Sequence, residues 1–183
     1  MFFCKINSQN INSELIRRIR EQSDRHKLKK GTVISQTGIY LFSEGAVRVF
    51  IIDTSGTEQT VELFESNCLI FNKPTNNHNN ILHIECLTTA TCFELTTEAL
   101  NRLISENPDF IRDLQCCQEK SFLKLLDTFS QNSLPAMERY QRYILKEPWL
   151  SQKTPVKYLA SYLGIHANSL SRLRRNYKKI QKE

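Results

Sequence analysis

Residues 154–179 read TPVKYLASYLGIHANSLSRLRRNYKK, a pattern of two helices joined by a tight turn. Val156 and Leu163 belong to an apolar face of the first helix, and Ala160 is small where a second helix must cross closely. Gly164 stands where the turn needs a positive φ angle, which glycine adopts at low cost. Because the apolar, small and glycine positions all agree, the stretch predicts a helix-turn-helix.

The second of these helices, predicted over 166–179, has a buried pair, Leu170 and Leu173, and a polar, basic remaining face. A helix of this kind fits the major groove of DNA, where base edges distinguish all four base pairs. Arg172 suits a bidentate contact with guanine, and Asn168 suits adenine. The alternative is an ordinary helical hairpin with a charged face. The residues predicted to contact DNA are Thr154, Lys157, His166, Ala167, Asn168, Ser169, Ser171, Arg172 and Arg175.

The distribution of charge agrees with this interpretation. The chain has 183 residues and a net charge of +6, and residues 135–183 hold 11 Lys and Arg against 3 Asp and Glu. The rest of the chain is therefore slightly acidic. This asymmetry predicts a nucleic-acid-binding end on a near-neutral body, with a solvated basic tail as the alternative.

The residues from Lys27 to Leu95 have a different pattern, which is typical of short strands. Short β-rich runs, TVI, IYLFS, AVRVFIID and QTVELF, are followed by two further strands around 81–87 and 91–95. Tight turns are predicted at 44–45 and 54–57, and an exposed loop at 71–80. Six to eight short strands in this length predict a sandwich or jelly roll.

Helices flank the predicted β-region. One amphipathic helix is predicted within 11–24, and another follows the N-cap pair Thr96–Thr97. Between Pro108 and Ser130 no glycine or proline interrupts a third and longer helix, whose apolar positions predict self-association through a coiled-coil-like seam. Packing of this helix on its own β-domain is the alternative. The seam positions are Ile111, Leu114, Gln118, Phe122, Leu125 and Phe129.

The predicted fold class is therefore α+β. It comprises an N-terminal β-roll of jelly-roll type over 1–107, a long dimerisation helix over 108–134, and an all-α helix-turn-helix domain over 135–183. Pro135 is the predicted boundary. Thr154-Pro155 is the predicted start of the first helix of the helix-turn-helix, with Thr154 as N-cap.

This order of elements, together with the PVKYLASYLGI and SLSRLRR runs, resembles the CRP/FNR family of bacterial transcription regulators. The segment 138–175 is similar to the short-hinged branch of Bacteroidetes-type bacteria. The resemblance implies a cyclic-nucleotide-binding-like β-roll and a homodimer on a palindromic double-stranded DNA operator. It also implies transcription regulation, RNA polymerase as a further partner, and no enzymatic activity.

Two departures from the family pattern stand out. His166 lies where the family usually has Ser or Thr to cap the recognition helix. The cyclic-nucleotide cassette also needs a Gly-Glu pair and an arginine about ten residues on, and the matching region of this sequence has neither. A buried phosphate without its cation is costly, so we expect no cAMP binding of the usual kind and leave the effector unknown. The matching region runs through Ile70, Phe71 and Asn72, and then Ile81, Leu82 and His83.

The patterns that would support a redox, metal or catalytic site are weaker. Cys68, Cys86 and Cys92 lie in β-runs and are expected in the core, while Cys116–Cys117 on the long helix leaves a redox role open. His83 forms only a fragment of a metal motif, so neither a metal, a cofactor nor a catalytic residue is predicted. Two alternatives remain: a metal-dependent jelly-roll enzyme, and an interaction module with a nonspecific basic tail. With no apolar run long enough to span a bilayer, a cytoplasmic location without membrane contact is expected.

Overall fold

The computed structural model describes residues 2–5, 13–72 and 82–180. Within these ranges the chain forms nine strands and seven helices. The strands are β1 (Phe2–Lys5), β2 (Asp24–Leu28), β3 (Val33–Ile34), β4 (Gly38–Glu44), β5 (Ala46–Ile52), β6 (Glu58–Glu65), β7 (Cys68–Asn72), β8 (His83–Cys86) and β9 (Ala90–Leu95). The helices are α1 (Ser13–Glu21), α2 (Thr97–Glu106), α3 (Asp109–Gln131), α4 (Ala136–Lys146), α5 (Pro148–Lys153), α6 (Val156–Tyr162) and α7 (Ala167–Ile180).

The strands make two antiparallel sheets. One has the order β1-β7-β4-β9-β2 and the other the order β3-β8-β5-β6. An apolar cluster that includes Phe42, Val49 and Ile84 draws its buried side chains from both sheets. Alternating apolar residues in β4, β5 and β6 supply this core, as the period-two pattern predicts. The α+β prediction is confirmed, with all nine strands preceding helices α2 to α7.

Three strands were not predicted from the sequence. β1 and β2 are edge strands, and β2, with sequence DRHKL, exposes most of its side chains, so no apolar alternation marks it. β7 is a continuous apolar run, which period-two counting does not detect. Its last two residues, Phe71 and Asn72, were predicted as loop but continue the ladder opposite β4. The remainder of that loop, 73–80, lies outside the described residues.

Helices α2 and α3 follow the sequence prediction closely. The Thr96 side chain accepts a hydrogen bond from the Ala99 backbone N–H, 3.2 Å away, and so caps α2. One face of α3 packs on the β-roll through Phe110, Cys117 and Ser121, all of which are buried. The Ser121 hydroxyl accepts the backbone N–H of Phe3 in β1.

The C-terminal helices α4 to α7 pack around another apolar cluster. Leu150, Leu159 and Leu170 are fully buried in it, and the cluster continues into the β-roll through Ala46 and Leu63. The helix-turn-helix therefore packs directly on the second sheet. In the ranges that the structure covers, no helix combines the length and the apolar character that crossing a membrane requires.

The turn between β4 and β5 provides a test of backbone constraint. Gly45 has φ +96°, and a Cβ there would lie 2.6 Å from the Thr89 carbonyl oxygen. Gly56 also has a positive φ, +78°, but a Cβ there would meet nothing within 4 Å. We expect Gly45→Ala to lower the free energy of unfolding by about 2 kcal/mol more than Gly56→Ala, because only Gly45 adds a clash to the strain. Urea unfolding of both variants measures the difference, and equal losses would contradict the close approach.

Candidate nucleic-acid interface

Helices α6 and α7 form the predicted helix-turn-helix, and the turn between them is closed by backbone hydrogen bonds. The Ile165 N–H donates to the Ala160 carbonyl (3.0 Å), and the Gly164 N–H donates to the Ser161 carbonyl (3.1 Å). Gly164 has φ +62°. This is a Schellman motif, which satisfies the last carbonyls of α6 and aims the chain into α7. The positive φ predicted for Gly164 is confirmed.

The start of α6 differs from the sequence prediction. Thr154 does not cap α6; it ends α5, and its hydroxyl donates to the Leu150 carbonyl at 2.7 Å. Its side chain is 2% exposed. Pro155 occupies the cap position of α6 without a side-chain hydrogen bond. Thr154 therefore does not face solvent, unlike the other residues predicted to contact DNA, because its hydroxyl is hydrogen-bonded within the preceding helix.

Helix α7 divides into a buried and an exposed face, as its pattern predicts. Leu170 is fully buried and Leu173 is partly buried against the same cluster. Arg174 is also half-buried, and it donates to the Ser151 carbonyl at 2.9 Å, which ties α7 to α5. The arginine at 174 is thus a structural contact, whereas its neighbour Arg175 is exposed.

The exposed face of α7 brings most of the predicted contact residues together. The Ser171 hydroxyl donates to the Ala167 carbonyl at 3.0 Å, so its proton is used within the helix and its oxygen remains an acceptor. Lys157 at the start of α6 is exposed as well, with its Nζ 4.5 Å from the centre of the Tyr158 ring. The exposed members of the predicted set are Lys157, His166, Ala167, Asn168, Ser169, Ser171, Arg172 and Arg175.

A buried arginine attaches α6 to the β-roll. The Arg48 side chain is 1% exposed, its Nε donates to the Glu85 carboxylate at 2.7 Å, and it also pairs with Glu58. Its guanidinium lies 3.4 Å from the centre of the Tyr158 ring of α6. The Tyr158 hydroxyl in turn donates to Glu85 at 3.1 Å. A charge buried this deeply requires such partners, and together they hold α6 on the second sheet.

This attachment was missed from the sequence. Arg48 sits in AVRVFII, where strict alternation predicts an outward, solvated side chain. Only the packing of α6 over that sheet makes the outward face an interior one. A second link has the same origin, since the Thr60 backbone N–H donates to the Ser161 hydroxyl at 2.9 Å.

Helix α3 exposes a row of large apolar side chains outside the face that packs on the β-roll. Phe129 is 77% exposed and Phe122 is 60% exposed. Leu114, predicted on the seam, is instead partly buried against a separate apolar cluster that includes Leu41, Leu95 and Phe110. The exposed apolar residues of α3 are Ile111, Phe122, Leu123, Leu125, Leu126 and Phe129.

The positions that match a cyclic-nucleotide cassette are used for packing where they are described. Ile70 is fully buried. The Asn72 side chain is 3% exposed, and its amide donates to the backbone carbonyls of Gln36 and Leu82 at 3.0 and 2.9 Å. Ile81 lies outside the described residues. At Asn72, therefore, the side chain satisfies backbone groups of the roll.

The cysteines and histidines add little chemistry. Cys68, Cys86 and Cys92 are buried, as predicted, and burial raises the pKa of the Cys86 thiol to about 11. Cys117 is buried against the β-roll, whereas Cys116 is exposed. The described ranges contain no group of three or more His, Cys, Asp or Glu placed to hold a metal ion. His83 Nδ1 lies 2.7 Å from the Ser35 hydroxyl, and His78 falls outside those ranges.

Sequence comparisons and structure comparisons give different results. No protein-family model matches the chain, and no curated protein matches it. Solved structures do match. Regulator CLP of Xanthomonas campestris, described as a c-di-GMP-responsive global regulator, is 16% identical over 93% of this chain and 93% of its own, with a TM-score of 0.72. FixK2 from Bradyrhizobium japonicum is 15% identical over 87% and 86%, with a TM-score of 0.75.

A third similar structure is a Eubacterium rectale protein described as a CRP/FNR-family transcriptional regulator. It is 16% identical over 93% of this chain and 85% of its own, with a TM-score of 0.69. At these identities the likeness establishes the fold. The chain therefore has the β-roll and helix-turn-helix fold of CRP/FNR regulators, as the sequence resemblance implied. The Bacteroidetes branch stays a prediction.

Proposed function

We propose that this chain is a sequence-specific DNA-binding transcription regulator of the CRP/FNR type that acts as a homodimer. The observation that carries the proposal is the exposed face of α7, where Asn168, Arg172 and Arg175 stand clear of the body while Leu170 anchors the helix. Residues near the N-terminal end of a recognition helix reach base edges, and basic residues further along contact phosphates. The shared fold supports the same function.

The apolar row on α3 supports the homodimer. A second copy of α3 is a fitting cover, because two identical apolar rows related by a two-fold axis complement each other. A dimer of this kind places two copies of α7 about 34 Å apart, in successive major grooves of one duplex. The proposed division of the chain remains a β-roll over 1–107, a dimerisation helix over 108–134 and a DNA-binding domain over 135–183.

Selection of preferred duplexes from a random pool tests the function directly. We expect a two-fold symmetric site whose half-sites are centred about one helical turn apart. Binding of the selected duplex is then compared with that of a random duplex at fixed salt, since nonspecific electrostatic binding gives no preference. Enrichment of no sequence would favour the interaction module with a nonspecific basic end. Stoichiometric metal in the purified protein would favour the jelly-roll enzyme.

The β-roll of the proposed regulator lacks the usual cAMP cassette, so we expect no binding of cAMP in the ordinary manner. Asn72 supports this, since its amide is already committed to two backbone carbonyls. Isothermal titration of the full chain with cAMP measures it, and micromolar affinity would overturn the expectation.

A further inference from the structure

An open pocket lies where the C-terminal part of α3 meets α4 and α6. Its volume is about 80 Å³. It therefore admits a compact chemical group. Four of the charged side chains that line it are cationic and one is a carboxylate: Lys124, Arg139, Arg142 and Lys146, and Asp127.

Two of the four cations already have carboxylate partners. Lys124 Nζ lies 2.8 Å from the Glu62 carboxylate, which is itself buried. The Arg142 guanidinium lies 2.9 Å from Glu138 on the same helix, with both side chains exposed. These pairs leave Lys124 and Arg142 close to neutralised, so neither is the main attraction for an anion.

The other two cations have no such partner. Within the part of the chain that the structure covers, neither Arg139 nor Lys146 makes an ion pair at 4 Å or less. Asp127, the one carboxylate in the lining, accepts a hydrogen bond from the Gln131 side chain at 2.9 Å. The pocket thus keeps an excess of positive charge in a partly enclosed space, which attracts anions more strongly than an open surface does.

Unsatisfied donors point to the same place. Arg139 Nε is buried without a hydrogen-bond partner, although another guanidinium nitrogen of Arg139 donates to the Asn132 carbonyl at 3.3 Å. The buried Tyr143 hydroxyl has no hydrogen-bond partner of ordinary geometry either. Among the described residues only three buried side-chain polar atoms are orphaned in this way, and two belong to residues lining the pocket. Buried donors without acceptors are costly, and an anion supplies acceptors.

The tyrosines in the wall do not offset this charge. Burial, and after it the Glu62 carboxylate, raises the pKa of both Tyr143 and Tyr162. Both hydroxyls therefore stay protonated at neutral pH. Neither adds a negative charge to the wall, and the Tyr162 hydroxyl already hydrogen-bonds the Glu62 carboxylate.

We propose that this pocket binds the oxyanion of a phosphate group, with Arg139 as its principal ligand and Lys146 as a second cation. Phosphate matches the observations because its oxygens accept several hydrogen bonds at once, and guanidinium groups bind it strongly. A phosphate bound there would lie between α4, which carries both cations, and the C-terminal end of α3.

Two sources of the phosphate group are compatible with the position of the pocket. A guanidinium nitrogen of Arg139 lies 3.7 Å from the point that a Cβ on Gly164 would occupy, so the pocket adjoins the turn that leads into α7. A DNA backbone phosphate is one source, and this assignment rests on the proposed function. A soluble phosphate compound is the other and does not depend on it.

Titration of the full chain with inorganic phosphate, at constant ionic strength and without DNA, tests the pocket. We expect a Kd of about 1 mM, as for a few charge-assisted hydrogen bonds in a solvent-open site. Arg139→Gln should weaken it at least about tenfold. Lys146→Gln, on the exposed rim, should weaken it about threefold with little risk to the fold. Arg102→Gln on α2, which removes an exposed arginine outside the pocket, is the matched control and should bind as the parent does.

No phosphate binding by the parent chain, or equal binding by the parent and both pocket variants, would overturn the proposal. Competition with the selected duplex then identifies the source. If phosphate and duplex exclude each other at the pocket, the group is a DNA phosphate; if both bind at once, it belongs to a soluble compound. Because the titration needs no DNA, a failed pocket and a failed DNA-binding function give different results.

Discussion

Phe122→Glu is expected to convert the proposed homodimer into a monomer. The Phe122 side chain is 60% exposed in the single chain and lies within the apolar row of α3. In a two-fold interface each copy would contribute one glutamate, so two like charges would be desolvated near the axis. We expect the dimer dissociation constant to rise at least about 100-fold, measured by sedimentation equilibrium.

A matched control separates loss of the interface from loss of the fold. Leu145 on α4 is 76% exposed but lies outside the row, so Leu145→Glu adds the same charge without entering the interface. We expect Leu145→Glu to dimerise as the parent chain does and Phe122→Glu to keep the parent's helical content by circular dichroism. An unchanged dimer in Phe122→Glu would show that another surface joins the copies.

Arg172→Ala is expected to reduce sequence-specific DNA binding. Arg172 is exposed on α7, and loss of a bidentate contact with a base costs about 1–3 kcal/mol per half-site. A homodimer makes the contact twice, so the symmetric site should lose about 2–6 kcal/mol in total. Fluorescence anisotropy with the selected duplex measures this loss, and repeated selection should show one base position relaxed in each half-site.

The neighbouring arginines provide controls for charge. Arg175→Ala removes the same charge from the same helix, and a phosphate contact there should lower the affinity for all sequences alike and reduce the salt dependence. Arg174 is unsuitable, because its guanidinium holds α7 to the Ser151 carbonyl. If Arg172→Ala kept full affinity and selectivity, its assignment as a base-reading residue would be wrong.

Local patterns predicted the elements whose stability is local. The turn at Gly164, the cap at Thr96 and the length of α3 follow from glycine conformation, hydroxyl capping and uninterrupted helical periodicity. Thr154 shows the limit of such rules. A threonine before a proline is typical of a helix start. The Thr154 hydroxyl is instead hydrogen-bonded to the Leu150 carbonyl of α5, and the α5 sequence PWLSQK shows little helical pattern.

Features that depend on distant parts of the chain were not predictable. β1 has only four residues and exists through its ladder with β7 and its contact with α3. Arg48 is interior only because α6 covers the second sheet. The exposed face of α7 could be predicted, since it needed only helical spacing, but the pocket around Arg139 could not, since it joins residues from three helices.

The apolar cluster that Leu63 and Ala46 share with Leu159 and Leu170 has a consequence for the C-terminal helices α4 to α7. A severed fragment beginning at Pro135 would leave the β-roll half of that cluster behind and bare the other half to water. Helix α7 therefore depends on the β-roll, both for its orientation and for covering the apolar side chains of the C-terminal helices.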